Sequence, residues 1–160
     1  MRIVLDTNSL IMAISAKNLY HKAWLAFLYG KYTLCITNEI IEEYLEVISR
    51  NINPYVAEKI VSTILTRKNM IKLDPHFRFN LIEKDKDDNK FVDCAIAANA
   101  KYIVSEDRHF DVLKACQFPK VDVIGLNLFV SLLKHNPYLL TNEDERPLLN
   151  EPSVPYGSDV

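Results

Sequence analysis

Five short apolar runs, separated by stretches of helical pattern, constrain what this chain can fold into. The runs Arg2 to Leu5, Tyr32 to Ile36, Met70 to Leu73, Tyr102 to Val104 and Val121 to Ile124 read as strands. Between and after them lie helical patterns over Leu10 to Ala16, Tyr20 to Tyr29, Asn38 to Arg50, Pro54 to Lys68, Asn89 to Ala100, Asp107 to Cys116 and Leu126 to Leu133. Alternation of this kind predicts an α/β fold, with a parallel sheet covered by helices on both faces. The chain shows no internal repeat.

The 160 residues, 49% of them hydrophobic, suffice for one domain with its own core. We expect that domain to span 1–134. From 135 to 160 the chain turns polar and proline-rich, with Pro137, Pro147, Pro152 and Pro155 around Asn142, Glu143, Asp144 and Glu145, and reads as a C-terminal tail. Cys35, Cys94 and Cys116 are odd in number and sit in apolar segments, the pattern of reduced core thiols. No basic leader with an apolar core follows Met1, and no apolar stretch reaches ~18 residues, so a cytoplasmic protein with no membrane partner is expected. The net charge of -2 gives no global attraction for nucleic acid; such a partner must be met by a local basic patch or through bound metal.

Acidic residues recur where strands should end and helices begin, the edge at which parallel sheets collect reactive groups. Asp6 directly follows the first strand in Val4-Leu5-Asp6-Thr7-Asn8, where it either caps the next helix or serves chemistry. In the helix opened by Thr37 or Asn38, Ile40, Ile41, Tyr44, Leu45, Val47 and Ile48 form an apolar face. Glu39, Glu42 and Glu46 lie nearly opposite it, while Glu43 stands at its border beside Ile40 and Val47. A half-drawn carboxylate is where a metal ligand belongs, so the helical wheel singles out Glu43. Asp93 shares a helix face with Ala97, whose small side chain leaves room beside the carboxylate. The run Glu83 to Asp88 reads as a solvated loop, from which Asp88 could reach the site at the helix start. Asp107 lies just past the fourth strand in Val104-Ser105-Glu106-Asp107-Arg108-His109-Phe110, with Ser105 placed to cap the next helix and Asp107 to join the cluster or to cap.

Mutually repelling carboxylates require cations. Oxygen-only ligation suits Mg²⁺ or Mn²⁺, and no Cys or His pair stands at zinc spacing. Two such ions, about 3.5 to 4 Å apart, can activate water and stabilise a leaving oxygen in phosphodiester hydrolysis, with Asp6 the expected bridging ligand.

On these motifs, in this order along Arg2 to about Leu133, the chain resembles the PIN-domain family, particularly the toxin nucleases of bacterial and archaeal toxin–antitoxin pairs. The resemblance implies a three-layer α/β/α sandwich with a central parallel sheet, and Mg²⁺ or Mn²⁺ held by Asp6, Glu43, Asp93 and Asp107 as the catalytic and metal-ligating acids. It also implies RNA cleavage, with Asn8 and Ser105 supporting the acids, and Asp88 in an acidic stretch shared with one subgroup. The partners it suggests are an RNA substrate, an antitoxin protein and a second copy of the chain. Asn38 stands where that subgroup often has proline, and the tail matches no pattern. A haloacid-dehalogenase-type phosphatase also begins strand-Asp, but it needs a second acid two residues on, where this chain has Asn8. A catalytically silent PIN-like module that binds RNA or protein is the other alternative.

Of the remaining candidates, His21, His76 and His135 read as surface or loop histidines and His109 as a local helix-start contact. Trp24, Leu25, Phe27 and Leu28 read as core rather than as base-stacking groups. Lys84, Lys86, Lys90 and Arg108 flank the acids, as solvated charges or as phosphate contacts.

Overall fold

The structure is a computed structural model that describes residues 1–135. The tail expected over 135–160 lies, His135 apart, outside the described residues. The first strand, β1 (Arg2–Leu5), is the middle of a five-stranded sheet. The chain then forms α1 (Thr7–Ile14), α2 (His21–Leu28), β2 (Thr33–Ile36), α3 (Asn38–Asn51), α4 (Pro54–Thr66) and β3 (Met70–Lys72). It closes with α5 (Asn89–Ala97), β4 (Tyr102–Val104), β5 (Val123–Ile124) and α6 (Leu126–His135). All pairings are parallel, in the order β3-β2-β1-β4-β5, with Ile3 opposite Leu34 on one side and Tyr102 on the other. Successive strand side chains point to opposite faces, and Ile3, Val4 and Leu5 are all fully buried. Both faces of β1 are therefore covered, as expected for the α/β sandwich. Trp24 and Phe27 are core, packed with Tyr32 and Phe129. Among the described residues the cysteines are free thiols, and no helix is long and apolar enough to cross a membrane.

Caps set the element boundaries. Thr37 Oγ1 accepts from Ile40 N at 3.2 Å to start α3, and Asn53 Oδ1 accepts from Val56 N at 2.8 Å ahead of Pro54 to start α4. The helix α5 stops at Ala97, three residues short of its expected end, because Asn99 turns left-handed at φ 49. Ala100 N then bonds Ala95 O and Asn99 N bonds Ile96 O, satisfying two terminal carbonyls.

The helix expected over Asp107 to Cys116 is instead a 3-10 helix, Arg108–Ala115. Its buried residues, Phe110 and Leu113, are three apart, and a three-residue turn stacks them on one edge against the core. Between β3 and α5 the chain has no regular structure until a 3-10 turn at Lys86–Asp88.

Candidate functional site

The chain leaves β1 for β2 and β3 on one side of the sheet and returns to β4 and β5 on the other. Loops diverge at such a reversal and open a crevice at the carboxyl ends of the two central strands. Asp6 follows β1 into that crevice, its N–H donating to Val104 O at 3.1 Å. It occupies the N-cap position of α1 but makes no capping bond. The buried Asp6 carboxylate instead accepts through Oδ2 from Ser105 Oγ at 2.9 Å, which separates its two sequence readings: it is presented to the cleft. Ser105 does not cap the next turn. Asp107 does, accepting from His109 N at 2.9 Å, while Ser105 Oγ also accepts from Asp107 N at 3.0 Å.

A cleft of about 640 Å³ holds all four acids singled out by sequence, together with Asn8, Asp85, Asp87 and Asp88. The four are not equivalent, because the cleft has two electrostatically different halves. On the β2 side the acids are already paired. Glu43, the least exposed of the α3 glutamates that the structure pairs with a cation, accepts from Thr7 Oγ1 at 2.5 Å and forms an ion pair with the Lys90 ammonium through its other oxygen. Its side chain is 21% exposed, against 48% for Glu39 and 73% for Glu46. Asp93 is buried, accepts through Oδ1 from Phe79 N at 3.1 Å and faces Arg78 at 3.9 Å through Oδ2. Arg78 in turn grips Glu39 with two bonds, of 2.6 and 3.1 Å. Beside Ala97 the space next to Asp93 is walled by Leu73, Phe77, Phe79 and Ile96.

On the β4 side the acids oppose each other. The charges of Asp88 and Asp107 raise the proton affinity of Asp6, and those of Asp85 and Asp107 raise that of Asp88. Burial pushes the Asp6 carboxyl up to about 6, helped by the charges of Asp88 and Asp107 and resisted by the Ser105 bond. Burial and then Asp85 and Asp107 push Asp88 up to about 6, against the pull of His109. Asp93 is also raised by burial, but its bond from Phe79 and the Arg78 charge oppose the shift. His109 Nδ1 lies 3.2 Å from both Asp88 Oδ2 and Asp107 Oδ1 and 3.7 Å from Asp85 Oδ2. Ligand atoms of Asp85, Asp88 and His109 fall within 4.8 Å of one another, the one such group of three among the described residues.

Two contributions escaped the sequence. The run Glu83 to Asp88 is no detached solvated loop, because Asp85 to Asp88 line the cleft. The buried Asn89 side chain holds it there, accepting from Ile82 N at 2.9 Å and donating to Ile82 O and Lys86 O at 2.8 and 3.2 Å. His109 bridges the acids instead of serving only its own turn. A hydrogen-bonding side chain following a charge run is the one signal that could have flagged Asn89.

The donor set on the β4 side suits a hard divalent cation: carboxylate oxygens gathered in one cleft, with those of Asp6 and Asp88 partly desolvated and raised in proton affinity. Asp85, Asp88 and His109 bring ligand atoms close enough together to hold one, with Asp6 and Asp107 lining the same cleft beside them.

A chain in the solved structure of VapBC2 from Rickettsia felis, bound to a DNA fragment from their promoter, has a similar fold. The TM-score is 0.56 at 18% identity, over 78% of this chain and 98% of that one. No curated protein matches. The PIN-domain family model matches residues 2–109, which carry Asp6, Glu43, Asp88, Asp93 and Asp107 alike. With more than half its length matched by that model, and a parallel sheet that gathers these acids at its central reversal, the chain belongs to the PIN-domain family.

Proposed function

We propose that the protein is a ribonuclease that needs Mg²⁺ or Mn²⁺, acting as the toxin of a toxin–antitoxin pair. The observation that carries this reading is the gathering of Asp6, Asp88 and Asp107 in one cleft at the sheet reversal, where burial and neighbouring acids raise the proton affinities of Asp6 and Asp88 and no lysine or arginine among the described residues pairs with the three. Such an ion supplies an activated water and charge stabilisation at a phosphodiester. Ser105 orients Asp6, and His109 N together with Ser105 Oγ fixes the Asp107 segment. Thr7 and Lys90 orient Glu43, while Arg78 and Phe79 hold Asp93. Of the cations that line the cleft, Arg78 is engaged by Glu39 and Lys90 by Glu43, which leaves Arg50 and Lys86 to meet the phosphates of a single strand. Supporting the antitoxin partner is the likeness to a chain of the VapBC2 assembly. A second copy of the chain is the further partner of this reading.

The test is a mixed pool of single-stranded RNA incubated with native and Asp6→Asn protein, with Mg²⁺, with Mn²⁺ and with EDTA, beside a phosphomonoester. Cleavage of RNA that needs metal and Asp6 is expected. Phosphomonoester hydrolysis without RNA cleavage would instead support a phosphatase, and tight RNA binding without cleavage a silent module.

A further inference from the structure

Lys90 is an anomalous lysine. It sits in the first turn of α5, where the helix dipole disfavours a cation, and its side chain is only 11% exposed. A largely buried ammonium requires a compensating charge. Asp87, at 3.7 Å, is 89% exposed and offers little through solvent. The compensating partner is Glu43, with which Lys90 makes its closest contact, and the Phe91 ring adds a face 5.7 Å from the ammonium.

The pair has a consequence for metal. Glu43 commits one oxygen to Thr7 Oγ1 and the other to Lys90. Asp93 commits one to Phe79 N and turns the other toward Arg78. A second ion on the β2 side of Asp6 would have to take Glu43 from an ammonium already seated against it. The acids on the β4 side have no lysine or arginine within ion-pair distance among the described residues, apart from the exposed Asp87.

We propose that Lys90 is a built-in counter-cation that keeps Glu43 from ligating metal, so that the substrate-free cleft takes one divalent ion, among the acids on the β4 side, instead of two. The inference rests on the metal-dependent reading above and names the ion count of that same site. Lys90 is thus a positioning residue, acting through Glu43.

Calorimetric titration with Mn²⁺ of native, Lys90→Met, Lys90→Arg and Glu43→Gln protein tests it, with thermal melting as the check on folding. One ion is expected per native chain, two per Lys90→Met chain, and one again in Lys90→Arg, where the charge is restored. Glu43→Gln should still take one ion with affinity changed by less than about threefold; this arm stands even if Lys90→Met does not fold. Two ions in the native protein, one in folded Lys90→Met, or a large loss of affinity in Glu43→Gln would each overturn the inference while leaving the metal-dependent reading intact. No Mn²⁺ binding by native protein would overturn both.

Discussion

At the scale of single residues, Asp6 carries opposite demands of stability and function. Its carboxyl is raised from 3.8 to about 6 by burial first and neighbouring charge second. A carboxylate raised in the folded state contributes stability that is fully present below the unfolded value and is lost as pH rises through about 6. Removing the charge should therefore help the metal-free fold at neutral pH. Asp6→Asn is expected to raise stability by about 2 kcal/mol at pH 7.5 in EDTA, with the gain vanishing near pH 4, as read by denaturant melts at both pH values. The same variant should lose RNA cleavage by orders of magnitude. An Asp6→Asn protein less stable than native at pH 7.5 would mean the carboxylate is better compensated than its surroundings indicate.

The glutamates of α3 offer a second comparison at this scale. Glu43 is bound by Thr7 and Lys90, and Glu39 by Arg78, whereas Glu42 contacts neither and Glu46 pairs only with exposed Arg50 at 3.7 Å. Replacement by Gln should lower RNA cleavage most at Glu43, measurably at Glu39 through release of Arg78, and negligibly at Glu42 and Glu46. Equal rates across the four variants would show that neither ion pair shapes the site.

Among the elements, the segment between β3 and α5 matters most to the cleft, because it brings Arg78, Asp85 and Asp88 there without regular structure of its own. Asn89 is its clamp. Replacing it with Ala strands the buried Ile82 N–H and carbonyl, a cost of about 2 kcal/mol. Asn89→Ala should lose that stability and also weaken Mn²⁺ binding, since Asp85 and Asp88 are no longer held. A melt shift with unchanged Mn²⁺ affinity would separate the clamp from the site. The end of α5 makes a simpler case: Asn99→Val at φ 49 should cost about 1–2 kcal/mol and leave Mn²⁺ binding unaltered, checked by denaturant melts and titration.

The whole molecule carries a net charge of -2, and the cleft mixes acids with Arg50, Arg78, Lys86 and Lys90. With two of those cations engaged by Glu39 and Glu43, few remain for phosphates. RNA affinity measured from low to moderate salt should therefore change gently, with a logarithmic slope of about -1 to -2, given roughly -0.7 per phosphate contact on a single strand. A slope steeper than about -4 would indicate a basic surface outside this cleft.

The strands, the parallel sheet and the positions of the acids were legible in the sequence because they follow from local periodicity. Val4-Leu5-Asp6 places an acid at a strand end whatever else the chain does, and the border position of Glu43 follows from 100° per residue. Thr37 likewise marks a helix start through a bond within one turn. What the sequence could not separate were the partners of those acids, which lie far apart along the chain. Ser105 meets Asp6 across the sheet, Lys90 meets Glu43 between two helices, and Phe79 and Arg78 meet Asp93 from an irregular segment. Local pattern determined which residues are acidic and where each element presents them. Only the tertiary structure decided which acids are neutralised and which remain in need of a cation, because a charge is compensated by what stands within a few ångströms of it in space.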